Sequence, residues 1–182
     1  MFIGISGRNC AGKDTVAEYL VKKGFIYYSL SDVIREFLKQ QNIEINRENL
    51  IFYANKLRQE NGPNFFAKKV IEKIDYTKDG VIVSIRNLAE VEELKKLPKF
   101  FLIIIQSDPQ IRFERMKKRN REGDPKTFEE FVRIERLEEN TSTTSQQLLE
   151  VLKVGDFYIQ NNGSLDELYL KIDKLLEKLN HK

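Results

Sequence analysis

The stretch that decides the fold is residues 7–15, which read Gly-Arg-Asn-Cys-Ala-Gly-Lys-Asp-Thr. An apolar run, Phe2–Ser6, precedes this loop, and an amphipathic segment, Asp14–Lys23, follows it. Two glycines at this spacing, followed by lysine and placed between a strand and a helix, are typical of a phosphate-binding P-loop. The glycines let successive backbone N–H groups turn toward an anion, and the lysine reaches the β- and γ-phosphates. The loop therefore predicts a nucleotide site, with ATP as the cofactor.

The predicted nucleotide ligands are the loop residues Gly7, Asn9, Cys10, Ala11, Gly12, Lys13, Asp14 and Thr15. Asp14 stands where the usual motif has a serine or threonine whose hydroxyl holds Mg²⁺. Because a carboxylate is also a good magnesium ligand, we expect Asp14 to bind Mg²⁺ as the second cofactor. Thr15 supplies a hydroxyl suited to the α-phosphate. Whether Asp14 touches the metal directly stays open at this point.

The rest of the chain alternates between strand-like and helix-like segments. Five apolar runs of strand length occur at Phe2–Ser6, Phe25–Leu30, Val81–Ile85, Phe100–Ile105 and Phe157–Ile159. Segments with helical spacing lie at Asp14–Lys23, Ser31–Gln41, Arg47–Glu60, about 63–74, Asn87–Lys96, Pro109–Arg119, Thr127–Leu137 and Ser164–Leu179. Alternation of this kind predicts an α/β protein, a three-layer α/β/α P-loop fold with a five-stranded parallel sheet, as one domain over residues 1–182. Residues 140–147 are predicted as a loop, although they could also precede a helix ending near Lys153.

Composition excludes several classes of protein. The 31 basic and 28 acidic side chains leave a net charge of +3, too balanced for a general polyanion binder or a polybasic membrane anchor. One cysteine and one histidine exclude an intramolecular disulfide and argue against zinc sites built from several cysteines or histidines. No signal-like or membrane-spanning apolar run is present, so we expect a soluble cytoplasmic protein, either a monomer or a homodimer.

The P-loop resembles that of the deoxynucleoside monophosphate kinases and related P-loop small-molecule kinases, in which Gly-Lys-Asp also occurs. Three further segments, at 28–35, 124–131 and 155–165, resemble adenylate kinase-like and dephospho-CoA kinase-like proteins. The resemblance covers residues 2 to about 176. It implies the nucleoside monophosphate kinase fold, with a helical acceptor-binding insertion at about 31–74 and a lid at about 112–136.

The resemblance also implies the residues that bind a phosphorylated acceptor, namely Asp32, Arg35, Arg58 and Arg86. Arg86 is the strongest of these candidates because it follows a buried strand at its carboxyl end, where parallel sheets build their sites. For Arg35 and Arg58, an ordinary position on a charged helix face remains the alternative. Relatives carry an aspartate where this chain has Val83, so an acidic group is missing, and Asp14 is our hypothesis for what replaces it.

Most of the positive charge lies in one segment. Residues 112–121 hold six basic side chains and one acidic one, a local charge of +5, which leaves −2 for the rest of the chain. In P-loop kinases the corresponding segment is a lid whose arginines close over the triphosphate. We assign that role to Arg115, Arg119 and Arg121, and we predict Lys13, Arg86, Arg115 and Arg119 as catalytic. The resemblance to dephospho-CoA kinase-like proteins also places Asn162 beside the adenine, although Asn-Gly is equally a turn signal.

These assignments predict an ATP-dependent phosphotransferase acting on a small phosphorylated acceptor, with a (deoxy)nucleoside monophosphate as the first choice. Dephospho-CoA is the second choice of acceptor. A nucleotide-binding switch that hydrolyses ATP slowly is an alternative from another class, and the missing acid at Val83 favours it. Nucleic-acid binding through residues 112–121 is the weakest alternative, because only Phe113 interleaves the basic residues.

Overall fold

Five parallel strands form one sheet in the described part of the chain, in the order β2-β3-β1-β4-β5. The computed structural model describes residues 1–120, 124–141 and 143–180, without the side chains of 47, 138–141 and 143–146. The strands are β1 (Phe2–Gly7), β2 (Ile26–Ser29), β3 (Gly80–Val83), β4 (Phe100–Gln106) and β5 (Phe157–Gln160). All five lie within one or two residues of the apolar runs in the sequence, so the predicted parallel sheet is confirmed.

One or more helices connect each strand to the next, as the crossovers between parallel strands require. They are α1 (Lys13–Lys22), α2 (Leu30–Gln40), α3 (Arg47–Asn61), α4 (Phe65–Ile71), α5 (Leu88–Leu94), α6 (Pro109–Arg119), α7 (Phe128–Thr141), α8 (Thr143–Lys153) and α9 (Leu165–Asn180). Three helices, α2 to α4, separate β2 from β3, which confirms that helical segments fill this part of the chain. Gly62, at φ 96°, ends α3, because glycine adopts this backbone conformation without steric cost.

Both faces of the sheet are covered, which explains why its strands are continuously apolar. One core joins the sheet to α1 and α9, through residues such as Val16, Leu20 and Ile172. The other joins the opposite face to α2, α3, α4, α5 and α8, and Phe66 and Val151 lie at its centre. The predicted three-layer α/β/α architecture is therefore confirmed. In the described residues, no helix has the length and apolarity needed to cross a lipid bilayer.

The prediction of a loop at residues 140–147 is wrong, while the helix that its alternative placed up to about Lys153 is confirmed by α8. Residues 140–147 are not a loop: 140 and 141 end α7, and 143–147 begin α8, while residue 142 lies outside the described residues. The stretch is rich in asparagine, serine and threonine, which favour caps and turns when no packing acts on them. Packing of the second half of α8 explains the difference. Val151 is fully buried against the sheet, and this burial stabilises the whole helix, including its polar first turn.

Candidate nucleotide-binding site

The P-loop follows β1, and its backbone curls so tightly that two of its positions have room only for glycine. A Cβ on Gly7 would lie 2.4 Å from the carbonyl oxygen of Ile105 in β4. A Cβ on Gly12, which caps α1 at φ 103°, would lie 2.3 Å from Nδ2 of Asn161. The loop is thus pressed between the carboxyl ends of β4 and β5. Within the loop, Ala11 is fully buried and Asn9 is exposed.

Lys13 lies over the loop, and its Nζ donates a hydrogen bond to the Arg8 carbonyl at 2.8 Å. Burial, and next the charge of Arg86, lower the pKa of Lys13 to about 8. A lysine held in this way is a destabilised cation, and a phosphate group would restore its ordinary pKa by supplying the missing negative charge. Perturbed cations of this kind concentrate at functional sites.

Arg86 is the second cation of this edge of the sheet. Its backbone N–H donates to Oε2 of Glu90 at 2.7 Å, which fixes the turn after β3. The side chain is largely buried, and burial lowers the pKa of its guanidinium. Among the described residues, no carboxylate lies within 4.0 Å of that guanidinium. Lys13 and Arg86 therefore form a pair of neighbouring cations suited to a phosphate-bearing ligand.

Arg35 and Asp32 lie together at the start of α2, where Arg35 Nη1 contacts Asp32 Oδ1 at 3.1 Å and donates to Ser31 Oγ at 2.7 Å. Three serine hydroxyls lie beside them: Ser29 is 2.9 Å from Ser31 and 3.3 Å from Ser84, and Ser84 is 3.2 Å from Ser31. Ser84 has φ 65°, a left-handed conformation that serine rarely adopts. The ends of β2 and β3 thus present a group of hydroxyls beside the Arg35 guanidinium.

Arg58 is bound to a protein carboxylate in this structure. Its Nη2 contacts Oε1 of Glu90 at 2.8 Å, and Glu90 is completely buried. Because the other oxygen of the same carboxylate accepts from the backbone N–H of Arg86, Glu90 links Arg58 to the turn that carries Arg86. Its role toward an acceptor stays a prediction, while its contact with Glu90 is a structural one.

Arg115 of α6 contacts the P-loop, and its role over a triphosphate stays a prediction. Its Nη1 donates to the Ala11 carbonyl at 3.4 Å, and its Nη2 donates to the Asn161 carbonyl at 3.0 Å. Asn161 Nδ2 donates to the same Ala11 carbonyl at 2.8 Å. Arg115 and Asn161 thus both bind the Ala11 carbonyl and fix this part of the P-loop to α6 and to the end of β5.

The other predicted residues lie nearer the rim. Arg119 contacts Asp124 at 3.3 Å, and Asn162 Oδ1 accepts from the backbone of Asp108 at 3.0 Å, which joins the β4–α6 and β5–α9 connections. Arg121 lies outside the described residues. The local charge of +5 is also reduced in three dimensions, because Arg112 is buried in an ion pair with Glu135. The surface left for a nucleic acid is correspondingly smaller.

Comparison with known proteins places this geometry in a family. Residues 3–147 match the family model described as an AAA domain. A UPF0200/UPF0201 protein of Archaeoglobus fulgidus is 37% identical over 183 residues, which cover 97% of this chain and 55% of that protein. A UPF0200 protein of Pyrococcus horikoshii is 32% identical over 186 residues, which cover 98% of this chain and 97% of that protein. The chain belongs to the UPF0200 family. It spans about half the length of the A. fulgidus relative and nearly all of the P. horikoshii one.

Solved structures show that this UPF0200 chain has the fold of P-loop kinases. Shikimate kinase from Acinetobacter baumannii, in complex with shikimate, superposes with a TM-score of 0.56 at 16% identity, covering 100% of this chain and 95% of that one. Shikimate kinase from Aquifex aeolicus superposes with a TM-score of 0.53 at 17% identity, covering 98% of this chain and 97% of that one.

The P-loop kinase fold generally uses ATP with Mg²⁺, and the donor set of this UPF0200 chain fits that ion. Asp14 is exposed in the first turn of α1, next to Lys13, and the Thr15 hydroxyl follows it. Mg²⁺ is commonly held by one or two carboxylates together with substrate phosphates and water. A cage of three or more histidine, cysteine, aspartate or glutamate side chains is absent from the described residues. Among the described residues, Asp14 and Thr15 are therefore the donors that would hold Mg²⁺ together with phosphate oxygens.

Sequence reasoning missed three residues that make contacts at this site: Arg8 of the P-loop itself, and Glu135 and Asn161 beside it. Asn161 is 95% buried, and its contacts with Ala11 and Arg115 join residues more than 45 positions away. The turn signal of Asn161-Asn162-Gly163 was the only local sign of it. Glu135 was one of many acidic residues on a charged helix, so no local signal distinguished it.

Proposed function

We propose that this UPF0200 protein is an ATP-dependent phosphotransferase that moves the γ-phosphoryl group to a small phosphorylated acceptor. The observation that carries the proposal is the pair of neighbouring cations, Lys13 and Arg86, at the carboxyl ends of β1 and β3. Each has its pKa lowered by burial, and Arg86 further lowers that of Lys13. Two anions brought together at this point relieve that repulsion, and phosphoryl transfer needs such neutralisation.

In this proposal the donor lies over the P-loop. The backbone N–H groups of residues 7–15 and Lys13 hold its phosphates, Arg115, Arg119 and Arg121 approach from the lid, and Asn162 lies near the base. Asp14 and Thr15 would hold Mg²⁺, which neutralises charge on the phosphates when it is bound.

The acceptor lies on the opposite side of the pair. Arg86 and Arg35 bind its anionic group, and Asp32 contacts it from α2. Arg58 supports the site through Glu90, which holds the backbone N–H of Arg86. The protein contributes by positioning and by neutralising charge, because an in-line transfer between phosphate oxygens requires little covalent chemistry from side chains.

A (deoxy)nucleoside monophosphate is the preferred acceptor, because Arg35 and Arg86 suit a phosphate. Dephospho-CoA is the second choice. Shikimate, named for two structural neighbours, carries a carboxylate instead and belongs in the same test. A second candidate function, an ATP-driven switch with slow hydrolysis, is favoured by Val83, which stands where the kinases that this sequence resembles have an aspartate. Cytoplasmic location and the choice between monomer and homodimer remain predictions.

The test is ADP release from ATP and Mg²⁺ with each acceptor in turn. We expect one acceptor to stimulate turnover, and Arg86→Ala to reduce kcat/KM for that acceptor by at least about 100-fold, as loss of a charge-stabilising group does. Lys13→Ala should abolish turnover. Lys96→Ala, which removes an exposed lysine between α5 and β4, is the matched control. If the protein binds ATP but no acceptor accelerates ADP release, the kinase proposal is rejected and the switch is supported.

A further inference from the structure

Glu135 of α7 contacts two arginines from different parts of the fold. Its carboxylate binds Arg112 through two hydrogen bonds, Nη1 to Oε1 at 2.5 Å and Nη2 to Oε2 at 2.8 Å. The same Oε1 lies 3.6 Å from Nη1 of Arg8, the second residue of the P-loop. Burial alone would raise the pKa of Glu135, but hydrogen bonds from Arg112 and the charges of both arginines outweigh it and lower that pKa. Glu135 is therefore a charged link between α7 and the nucleotide loop.

Two other contacts bring the same pair of helices onto the P-loop. Cys10, held at φ 59°, packs against the aromatic cluster of α6 and α7 that contains Phe113 and Phe131. Arg115 of α6 donates to the Ala11 carbonyl. The P-loop residues 8, 10 and 11 thus all contact α6 or α7, and Glu135 supplies a contact between opposite charges.

The geometry points to Glu135 as a positioning residue for nucleotide binding, acting through Arg8. This inference rests on the proposed function only in requiring that the P-loop bind a nucleotide. Arg8 is the second residue of the P-loop, and its carbonyl accepts from Lys13, so its backbone lies at the predicted phosphate site. A free arginine side chain loses up to about 2 kcal/mol of rotamer entropy when a ligand orders it. Glu135 orders Arg8 beforehand, and the five donors of a guanidinium allow a carboxylate and a phosphate to bind together.

The contact with Arg112 has a different consequence and must be separated from this one. Arg112 is only 1% exposed, and its charge has Glu135 as its bidentate partner. Removing the carboxylate leaves a buried charge uncompensated and destabilises the whole fold. A loss of nucleotide affinity in a Glu135 variant alone would therefore not distinguish positioning from instability.

A double-mutant cycle separates the two effects. The proteins are wild type, Arg8→Gln, Glu135→Gln and the double variant, with Glu129→Gln as a control that removes an exposed carboxylate from the same helix. The measurements are the Kd for ATP and the midpoint of thermal unfolding. We expect each single substitution to weaken ATP binding about three- to five-fold, the scale of a partly exposed ion pair. Glu135→Gln should add nothing to Arg8→Gln in affinity, yet lower the unfolding midpoint equally in both backgrounds. Glu129→Gln should change neither quantity.

Two results would overturn the inference while leaving the proposed function intact. One is wild-type affinity in Glu135→Gln, and the other is an equal loss of affinity with and without Arg8. If wild type binds no ATP, both proposals fail together, and Lys13→Ala identifies that case by behaving like wild type. Should Glu135→Gln not fold, Arg112→Met combined with Glu135→Met replaces the buried pair with apolar side chains and still removes the Glu135 carboxylate from Arg8. That protein must show the same loss of ATP affinity, and wild-type affinity in it refutes the inference.

Discussion

Raising the pH from 7 to 9 should weaken nucleotide binding through one residue, Lys13. Its pKa in the free protein is about 8, because burial, and next the charge of Arg86, disfavour the ammonium form. A bound triphosphate favours that form, so the pKa is higher in the complex than in the free protein. Above pH 8, binding must therefore take up a proton from solvent, and affinity falls as the pH rises.

The magnitude follows from that pKa. The protonated fraction of Lys13 is about 0.9 at pH 7 and about 0.1 at pH 9, so the affinity for ATP should fall about tenfold between them. An ordinary lysine, with a pKa near 10.4, would lose less than about 10% of its charge over the same interval.

Calorimetric titration with ATP at pH 7, 8 and 9 measures the effect, and buffers of different ionisation enthalpy count the protons taken up. Lys13→Arg is the matched control, because a guanidinium remains charged throughout this range. Its Kd is expected to change less than about twofold from pH 7 to 9. A wild-type Kd that is equally insensitive would show that Lys13 does not titrate in the free site. A wild-type decline that Lys13→Arg reproduces would assign the proton to another group.

Two further substitutions test the packing behind the site. Gly12→Ala should abolish ATP binding, because its Cβ would lie 2.3 Å from a side-chain amide, whereas Gly24→Ala, at φ 97° with open space around it, should bind ATP normally; ATP titration of both compares them. Arg58→Ala should lower the free energy of unfolding by roughly 3 kcal/mol, about 10 °C in the thermal midpoint, because it leaves the buried Glu90 carboxylate without its cation. Lys56→Ala, from an exposed pair on the same helix, should cost less than about 1 kcal/mol, and equal losses in a melting experiment would contradict the argument.

Local signals predicted the parts of the site that lie on one continuous stretch of chain. The P-loop is contiguous along the chain. Two of its positions leave no room for a side chain and so require glycine, and a third supplies the lysine that marks the motif. Arg86 was found because it directly follows an apolar strand, and the carboxyl ends of parallel strands meet at one edge. The Arg115 prediction rested on its spacing from Arg119 along one helix face, and the structure does bring Arg115 onto the P-loop.

Contacts between distant segments had no comparable signal. In the sequence, Arg58 has the position of an exposed arginine on a charged helix, yet it forms an ion pair with Glu90, 32 residues away. Arg112 was counted with the lid cations, but Glu135 neutralises it in a buried pair. The charge of residues 112–121 is therefore smaller as a surface than as a sum, because ion pairing depends on which helices come together.

What the sequence by itself determined is the class of fold, and it also predicted the kind of ligand. Alternating apolar runs and amphipathic segments leave few arrangements other than a parallel sheet between helices, and a glycine-rich loop between strand and helix has phosphate as its natural partner. Only the tertiary structure decided which cations remain available to that ligand. Lys13 and Arg86 are brought together without a carboxylate within 4.0 Å of the Arg86 guanidinium among the described residues, whereas Arg58 and Arg112 are paired by Glu90 and Glu135. The physical reason is that a charge acts over a few ångströms in space, and separation along the chain does not measure that distance.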